Sequence, residues 1–130
     1  AHSREAVIMT LVCRGLRGAT TALDNTREAV LEATRELLER LVEANGLKTD
    51  DLAATFFTTS PDLNAEFPAV AARQMGWEYV PLICGHEMNV PTGLPLCIRV
   101  MIMVNTEKRP EEMAHLYLRD AKNLRSTGIN

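Results

Sequence analysis

The feature that most constrains this chain is one amphipathic stretch, residues 26–44. Val30, Ala33, Leu37, Leu38, Leu41 and Val42 recur at helical spacing, while Glu32, Arg35, Glu36, Glu39, Arg40 and Glu43 occupy the other faces. Asn25 is the expected N-cap, Glu28 three residues on closes a capping box, and Asn45-Gly46 supplies the stop. Such a helix covers a core with one side and is solvated on the other. The Glu36 to Arg40 spacing adds at best roughly a few tenths of a kcal/mol. The apolar stripe needs a surface to lie on, and the rest of the sequence offers strands.

Residues 10–16 read as a first strand that ends in the turn-like segment Arg17-Gly18-Ala19-Thr20-Thr21, whose glycines permit a close backbone approach. Leu52–Thr59, rich in Phe and Thr, reads as a second strand, after which Ser60-Pro61-Asp62 turns the chain. Pro68, a natural first helical residue, opens a short second helix that Gly76 ends. Residues 79–84 and 97–104 are two further strand-compatible runs, separated by the irregular residues 85–95. The order strand, helix, strand, helix, strand, strand predicts an α+β or α/β sheet with helices on one face. Periodicity does not decide the last segment: Met113, Leu116, Tyr117, Ala121 and Leu124 fit a helix, whereas Leu116 and Leu118 alternate as in a strand.

With 130 residues, 46% of them apolar and 24% charged, one core is expected. It is placed in residues 10–125, with residues 1–9 set aside as a leader or expression-derived segment and residues 126–130 as a flexible tail. A net charge of -3 with no basic stripe argues against nucleic acid as a partner. No apolar run approaches the roughly 18 residues of a membrane span. Cys13, Cys84 and Cys97 form an odd set without a CxxC, which favours free thiols and a cytoplasmic setting over a disulfide framework. Cys84 and His86 lack the second close pair that a tetrahedral metal site needs.

Several chemistries are unsupported. His2, His86 and His115 accompany no GxSxG elbow, and Arg14-Gly15-Leu16-Arg17-Gly18 lacks the ending and spacing of a phosphate loop. What remains are polar residues at strand ends and one arginine, Arg99, inside Cys97-Ile98-Arg99-Val100-Met101-Ile102-Met103-Val104. By alternation alone Arg99 either points to a solvated face or sits in a pocket that binds an anion, and Glu87 alone reads as a surface carboxylate.

Six ordered blocks then carry a resemblance: Arg14-Gly15-Leu16-Arg17-Gly18-Ala19-Thr20-Thr21, Pro61-Asp62-Leu63-Asn64-Ala65-Glu66-Phe67-Pro68-Ala69, Trp77-Glu78-Tyr79-Val80-Pro81-Leu82, Glu87-Met88-Asn89-Val90, Cys97-Ile98-Arg99-Val100 and His115-Leu116-Tyr117-Leu118. Together they closely resemble the monofunctional chorismate mutases of the Bacillus-type AroH family. The resemblance implies a homotrimer, a pseudo-α/β-barrel of mixed sheets with helices outside, and active sites in clefts between subunits. It implies a helical turn near residues 110–113 followed by a strand carrying Tyr117. The reaction implied is the Claisen rearrangement of chorismate to prephenate, without cofactor or metal, in the biosynthesis of phenylalanine and tyrosine.

Carried over by position, Arg99 matches the cation at the ether oxygen, and Arg17 with Tyr117 matches the pair that holds the side-chain carboxylate. Glu87 and Cys84 match the groups on the ring hydroxyl. Phe67 and Ala69 match a wall supplied by the neighbouring subunit, Arg73 a nearby cation, and Leu124 with Arg125 a mobile tail over the site. Val70 stands where some relatives have a lysine, and Ser126-Thr127 where a Pro-Asp often follows. The rival reading is a trimer of similar architecture that binds a small carboxylate without rearranging it.

Overall fold

The structure is a computed structural model that describes residues 10–124. The expectations for residues 1–9, Arg125 and residues 126–130 fall outside the described residues. Strands β1 (Val12–Thr21), β2 (Leu52–Thr59), β3 (Leu82–His86), β4 (Cys97–Thr106) and β5 (Leu116–Tyr117) alternate with helices α1 (Arg27–Asn45) and α2 (Ala69–Gln74). Short 3-10 turns occupy Thr49–Asp51, Pro110–Glu112 and Arg119–Asn123. The tail therefore follows the course the resemblance implied, a turn and then a strand carrying Tyr117.

The strands form one sheet in the order β3-β2-β4-β1-β5. β4 is central, antiparallel to β1 and β2, while β3 and β5 add parallel edges. This is a mixed α+β fold. Leu37, Leu38 and Leu41 of α1 pack with Leu16, Phe57, Val100 and Ile102, and Ala69 and Ala72 of α2 join the same cluster. Both helices thus cover one sheet face, each fully buried leucine contributing about 1.5–3 kcal/mol.

α1 matches its sequence pattern, with differences at the start. The cap is Thr26, whose backbone is extended and whose hydroxyl accepts from the Ala29 amide at 3.1 Å. Glu28 is then one position short of closing a box. Asn25 instead staples the helix entrance to the loop after β2, its Oδ1 accepting from the Asn64 and Ala65 amides at 3.0 Å. Gly46 ends the helix in the left-handed region, as expected.

Residues 17–21 are not a turn. β1 runs on through Thr21, and Gly18 serves helix packing: a Cβ there would lie 2.8 Å from Leu41 Cδ1 and 3.1 Å from Leu37 Cδ1. β3 starts later than expected, at Leu82, because Pro81 has no amide to donate and meets the sheet through its carbonyl, which accepts from Thr55 at 2.9 Å.

The face away from the helices is only partly covered. Ala121 and Leu124 close one end of it over Ala19 and Cys97. Elsewhere it presents Phe56 at 44% and Ile83 at 59% exposure, beside Met101 and Met103.

Candidate active site

Strand register places the chemistry. Thr58 of β2 faces Arg99 of β4, Arg99 faces Ala19 of β1, and Ala19 faces Tyr117 of β5. Directly opposed residues share a sheet face, so these four form one row across the open side. In the adjoining row Phe56 faces Met101 and Met101 faces Arg17. Ala19 is the short member between Arg99 and Tyr117, and it lies at the floor of the space they border. Glu87 follows the end of β3, its amide donating to the Thr59 carbonyl at 2.8 Å.

The result is a hollow of about 160 Å³ lined by Arg17, Ala19, Phe56, Thr58, Glu87, Arg99, Met101 and Tyr117, among others. A larger cleft of about 650 Å³, roofed by the loop between β3 and β4, shares Glu87 and Arg99 with it. The larger space adds Asp62 and the loop residues 88–95, whereas of these two cavities only the smaller is lined by Arg17 and Tyr117; Glu87 and Arg99 form the wall between them.

Arg99 Nε lies 3.7 Å from Glu87 Oε2, and the Thr58 hydroxyl donates to the same carboxylate oxygen. Glu87 is thereby aimed by two elements. Burial pushes the Cys97 thiol up, against the pull of the Arg99 guanidinium beside it. The buried Tyr117 hydroxyl has no hydrogen-bond partner among the described residues. An orphaned buried hydroxyl costs about 1–3 kcal/mol. Two arginines against one carboxylate give the lining a net charge of +1, suited to an anion with more than one negative group.

A profile described as "Chorismate mutase type I" matches residues 13–127. The chain belongs to the type I chorismate mutase family. It is 48% identical over 113 residues to chorismate mutase AroH of Thermus thermophilus, an alignment covering 86% of this chain and 93% of that protein. To chorismate mutase AroH of Bacillus subtilis (strain 168) it is 43% identical over 116 residues, 88% and 91% of the two chains. The solved chorismate mutase from Clostridium thermocellum superposes with a TM-score of 0.82 at 47% identity, covering 84% of this chain and 97% of that one.

Of the residues expected to serve a type I chorismate mutase, Arg17, Glu87, Arg99 and Tyr117 come together in the hollow. Cys84 does not join them within this chain. It lies opposite Phe57, so alternation turns it to the helix side, where it packs against the main core. Burial raises its thiol, while a hydrogen bond from the Ala69 amide and the Arg73 charge act the other way. Cys84, Ala69 and Arg73 are therefore one group, at the start of α2 beside Phe67, which is 64% exposed. Leu124, expected in a mobile cover, is instead 4% exposed and packs with Ala19, Cys97 and Ala121. It anchors the end of the 3-10 turn Arg119–Asn123.

Two contributors escaped the sequence reading. Thr58 steers Glu87, and its place two residues after Phe56 on the open face was the available signal. His115 accepts the Arg17 amide, whereas His86 faces the Leu63 carbonyl, a structural contact.

Proposed function

We infer that this chain is a chorismate mutase that converts chorismate to prephenate, a step in aromatic amino-acid biosynthesis. The observation that carries the reading is Arg99 on the central strand, paired with Glu87 and flanked by Arg17 and the unpartnered Tyr117 hydroxyl. The rearrangement is unimolecular: the ether C–O bond breaks while a C–C bond forms, and no atom enters or leaves. The enzyme's contribution is a compact substrate conformation and fixed charge where the ether oxygen becomes negative. Arg99 is the catalytic cation at that oxygen. Glu87 accepts the ring hydroxyl and opposes the partial positive charge of the ring. Arg17 and Tyr117 hold the side-chain carboxylate, which explains why a cation and a buried hydroxyl flank the short side chain of Ala19.

The working unit in this proposal is a homotrimer closing into a pseudo-α/β-barrel, with each site finished by a neighbour. The uncovered apolar sheet face supports this, since Phe56, Ile83, Met101 and Met103 form a surface that a monomer leaves in water. Phe67, Ala69, Arg73 and Cys84, grouped away from the hollow, are then the wall offered to the next subunit. Leu124, packed on Ala19, seats the 3-10 turn Arg119–Asn123 beside the site. Three free cysteines fit a cytoplasmic setting. The test is direct: purified protein is mixed with chorismate, loss of its ultraviolet absorbance is followed, and prephenate is confirmed as product. Binding of chorismate without prephenate at high protein concentration would leave a carboxylate-binding protein instead.

A further inference from the structure

β1 and β5 pair over only two residues, Gly18 with Leu116 and Ala19 with Tyr117. One residue before that pairing begins, the Arg17 amide donates not to a carbonyl but to Nδ1 of His115, at 2.9 Å. The imidazole is delivered there by a clamp. Asn45, the last residue of α1 and only 5% exposed, takes hold of Ala114 from both sides: the Ala114 amide donates to Oδ1 at 2.8 Å, and Nδ2 donates to the Ala114 carbonyl at 3.0 Å. Nδ2 also donates to the Leu41 carbonyl at 3.0 Å, tying the clamp to the helix. A chain of contacts therefore runs from α1 through Ala114 and His115 to the backbone of Arg17.

An imidazole that accepts through Nδ1 carries its single proton on Nε2. A second proton occupies the lone pair, so the hydrogen bond is lost and two N–H groups face each other. We propose that His115 is a positioning residue for Arg17, whose neutral imidazole holds the arginine backbone in register for substrate capture and whose protonation releases it. The proposal rests on the reading that Arg17 grips a substrate carboxylate. The charged groups around the ring favour its neutral form. Arg17 faces it from β1, Glu36 and Arg40 from α1, and Arg119 and Lys122 from the C-terminal 3-10 turn, all but Arg17 lining one recess with it. Three cations in that recess oppose one carboxylate, and Arg119 already occupies that carboxylate at 3.0 Å. Burial, followed by the Arg17 charge, lowers the pKa of His115 from its ordinary value.

Because Arg17 holds the substrate before and during the reaction, a displaced Arg17 weakens capture more than it slows chemistry. The test compares the pH dependence of kcat and kcat/KM for wild type, His115→Leu, His115→Asn and Arg17→Ala between about pH 5 and about pH 8. Wild type is expected to show an acid limb in kcat/KM with its midpoint below about 6.5, while kcat stays flat. His115→Leu loses about tenfold in kcat/KM at neutral pH, keeps kcat within about twofold, and has no limb. His115→Asn, whose Oδ1 replaces Nδ1 as a non-titrating acceptor, recovers most of the loss and also lacks the limb. A merely structural histidine would not separate the limb from the loss in this way.

Nitrogen NMR of the wild-type protein supplies a readout independent of activity: at neutral pH the His115 Nδ1 is unprotonated and couples across the hydrogen bond to the Arg17 amide, and this coupling disappears along the acid limb. If His115→Leu does not fold, His115→Asn and the wild-type spectrum still decide. An acid limb that persists in His115→Asn, or an Nδ1 that carries the proton at neutral pH, overturns the proposal. If Arg17→Ala leaves kcat/KM unchanged, the carboxylate reading of Arg17 fails first. If Arg17→Ala is impaired and both His115 variants match wild type at every pH, only the role of His115 fails.

Discussion

The proposed role of Arg99 as the cation at the ether oxygen is tested by replacing it with alanine. The guanidinium sits on the central strand at the wall shared by the two cavities, with about a third of its side chain open to solvent (29%) and Glu87 at 3.7 Å. With an effective dielectric of about 20, about half a charge growing on an oxygen about 3 Å from the guanidinium is stabilised by roughly 3 kcal/mol. That is about a hundredfold in rate. Removal of the cation also leaves Glu87, still held by Thr58, facing a dianionic substrate without its counterion. The loss in kcat is therefore expected at about a hundredfold or more, the range seen when an oxyanion donor is removed. Water entering the vacated space restores little, because it must reorient as the charge forms whereas the arginine is already oriented. Arg99→Lys recovers only part, since one ammonium cannot reach the ether oxygen and a carboxylate together. Arg17→Ala provides the contrast, with the penalty mainly in KM. The assay is initial-rate loss of chorismate absorbance over a range of substrate concentrations, with circular dichroism to establish that each variant is folded. A folded Arg99→Ala enzyme with kcat within about threefold of wild type would refute the electrostatic account, since even the screened estimate requires far more.

Other outcomes follow from the same geometry. Tyr117→Phe removes a buried hydroxyl that has no partner among the described residues, so it should leave the melting temperature unchanged or raised while increasing KM by about five- to tenfold; a lowered melting temperature with unchanged KM would contradict the assignment. Gly18→Val places branched carbons where even a Cβ would come 2.8 Å from Leu41, so urea unfolding should show a loss of about 1–3 kcal/mol or more, against a change within about 0.5 kcal/mol for a substitution at exposed Glu43. Sedimentation should find a trimer, and a fully active monomer at high dilution would remove the shared-site architecture.

The parts of the fold that were legible in the sequence are those governed by local chemistry. The stripe of α1, its glycine stop and the Phe- and Thr-rich β2 depend on periodicity and on one residue's backbone preference, both written in the chain itself. The start of α1 was off by one because Asn25 and Thr26 are both good caps, and the choice is made by residues 64–65, which compete for the Asn25 carboxamide. β1 was cut short for a related reason. A strand glycine that makes room for Leu37 and Leu41 looks, without the helix above it, the same as a glycine that turns the chain.

The site illustrates a different limit. Alternation left Arg99 with two readings, surface or pocket, and nothing in its own strand distinguishes them. The decision is made by register: the strands on either side set Thr58 and Ala19 against Arg99, and a two-residue parallel edge sets Tyr117 beyond Ala19. None of those pairings is local, and the edge strand is too short to announce itself by pattern, since two residues carry no period. Its stability comes instead from neighbours on both sides. Asn45 fixes Ala114 before it, and Leu118 donates to Ala19 at 2.8 Å after it. Arg119, held in the left-handed region, then reaches Glu36 and the Thr21 carbonyl, each at 3.0 Å. A helix terminus, a long-range amide clamp and a strained arginine thus hold Leu116 and Tyr117 in place, and with them the Tyr117 side chain at the edge of the hollow. For the same reason Glu36, read in the sequence as a partner for Arg40 one turn on, serves the site's scaffold instead: it is committed to an arginine 83 positions away.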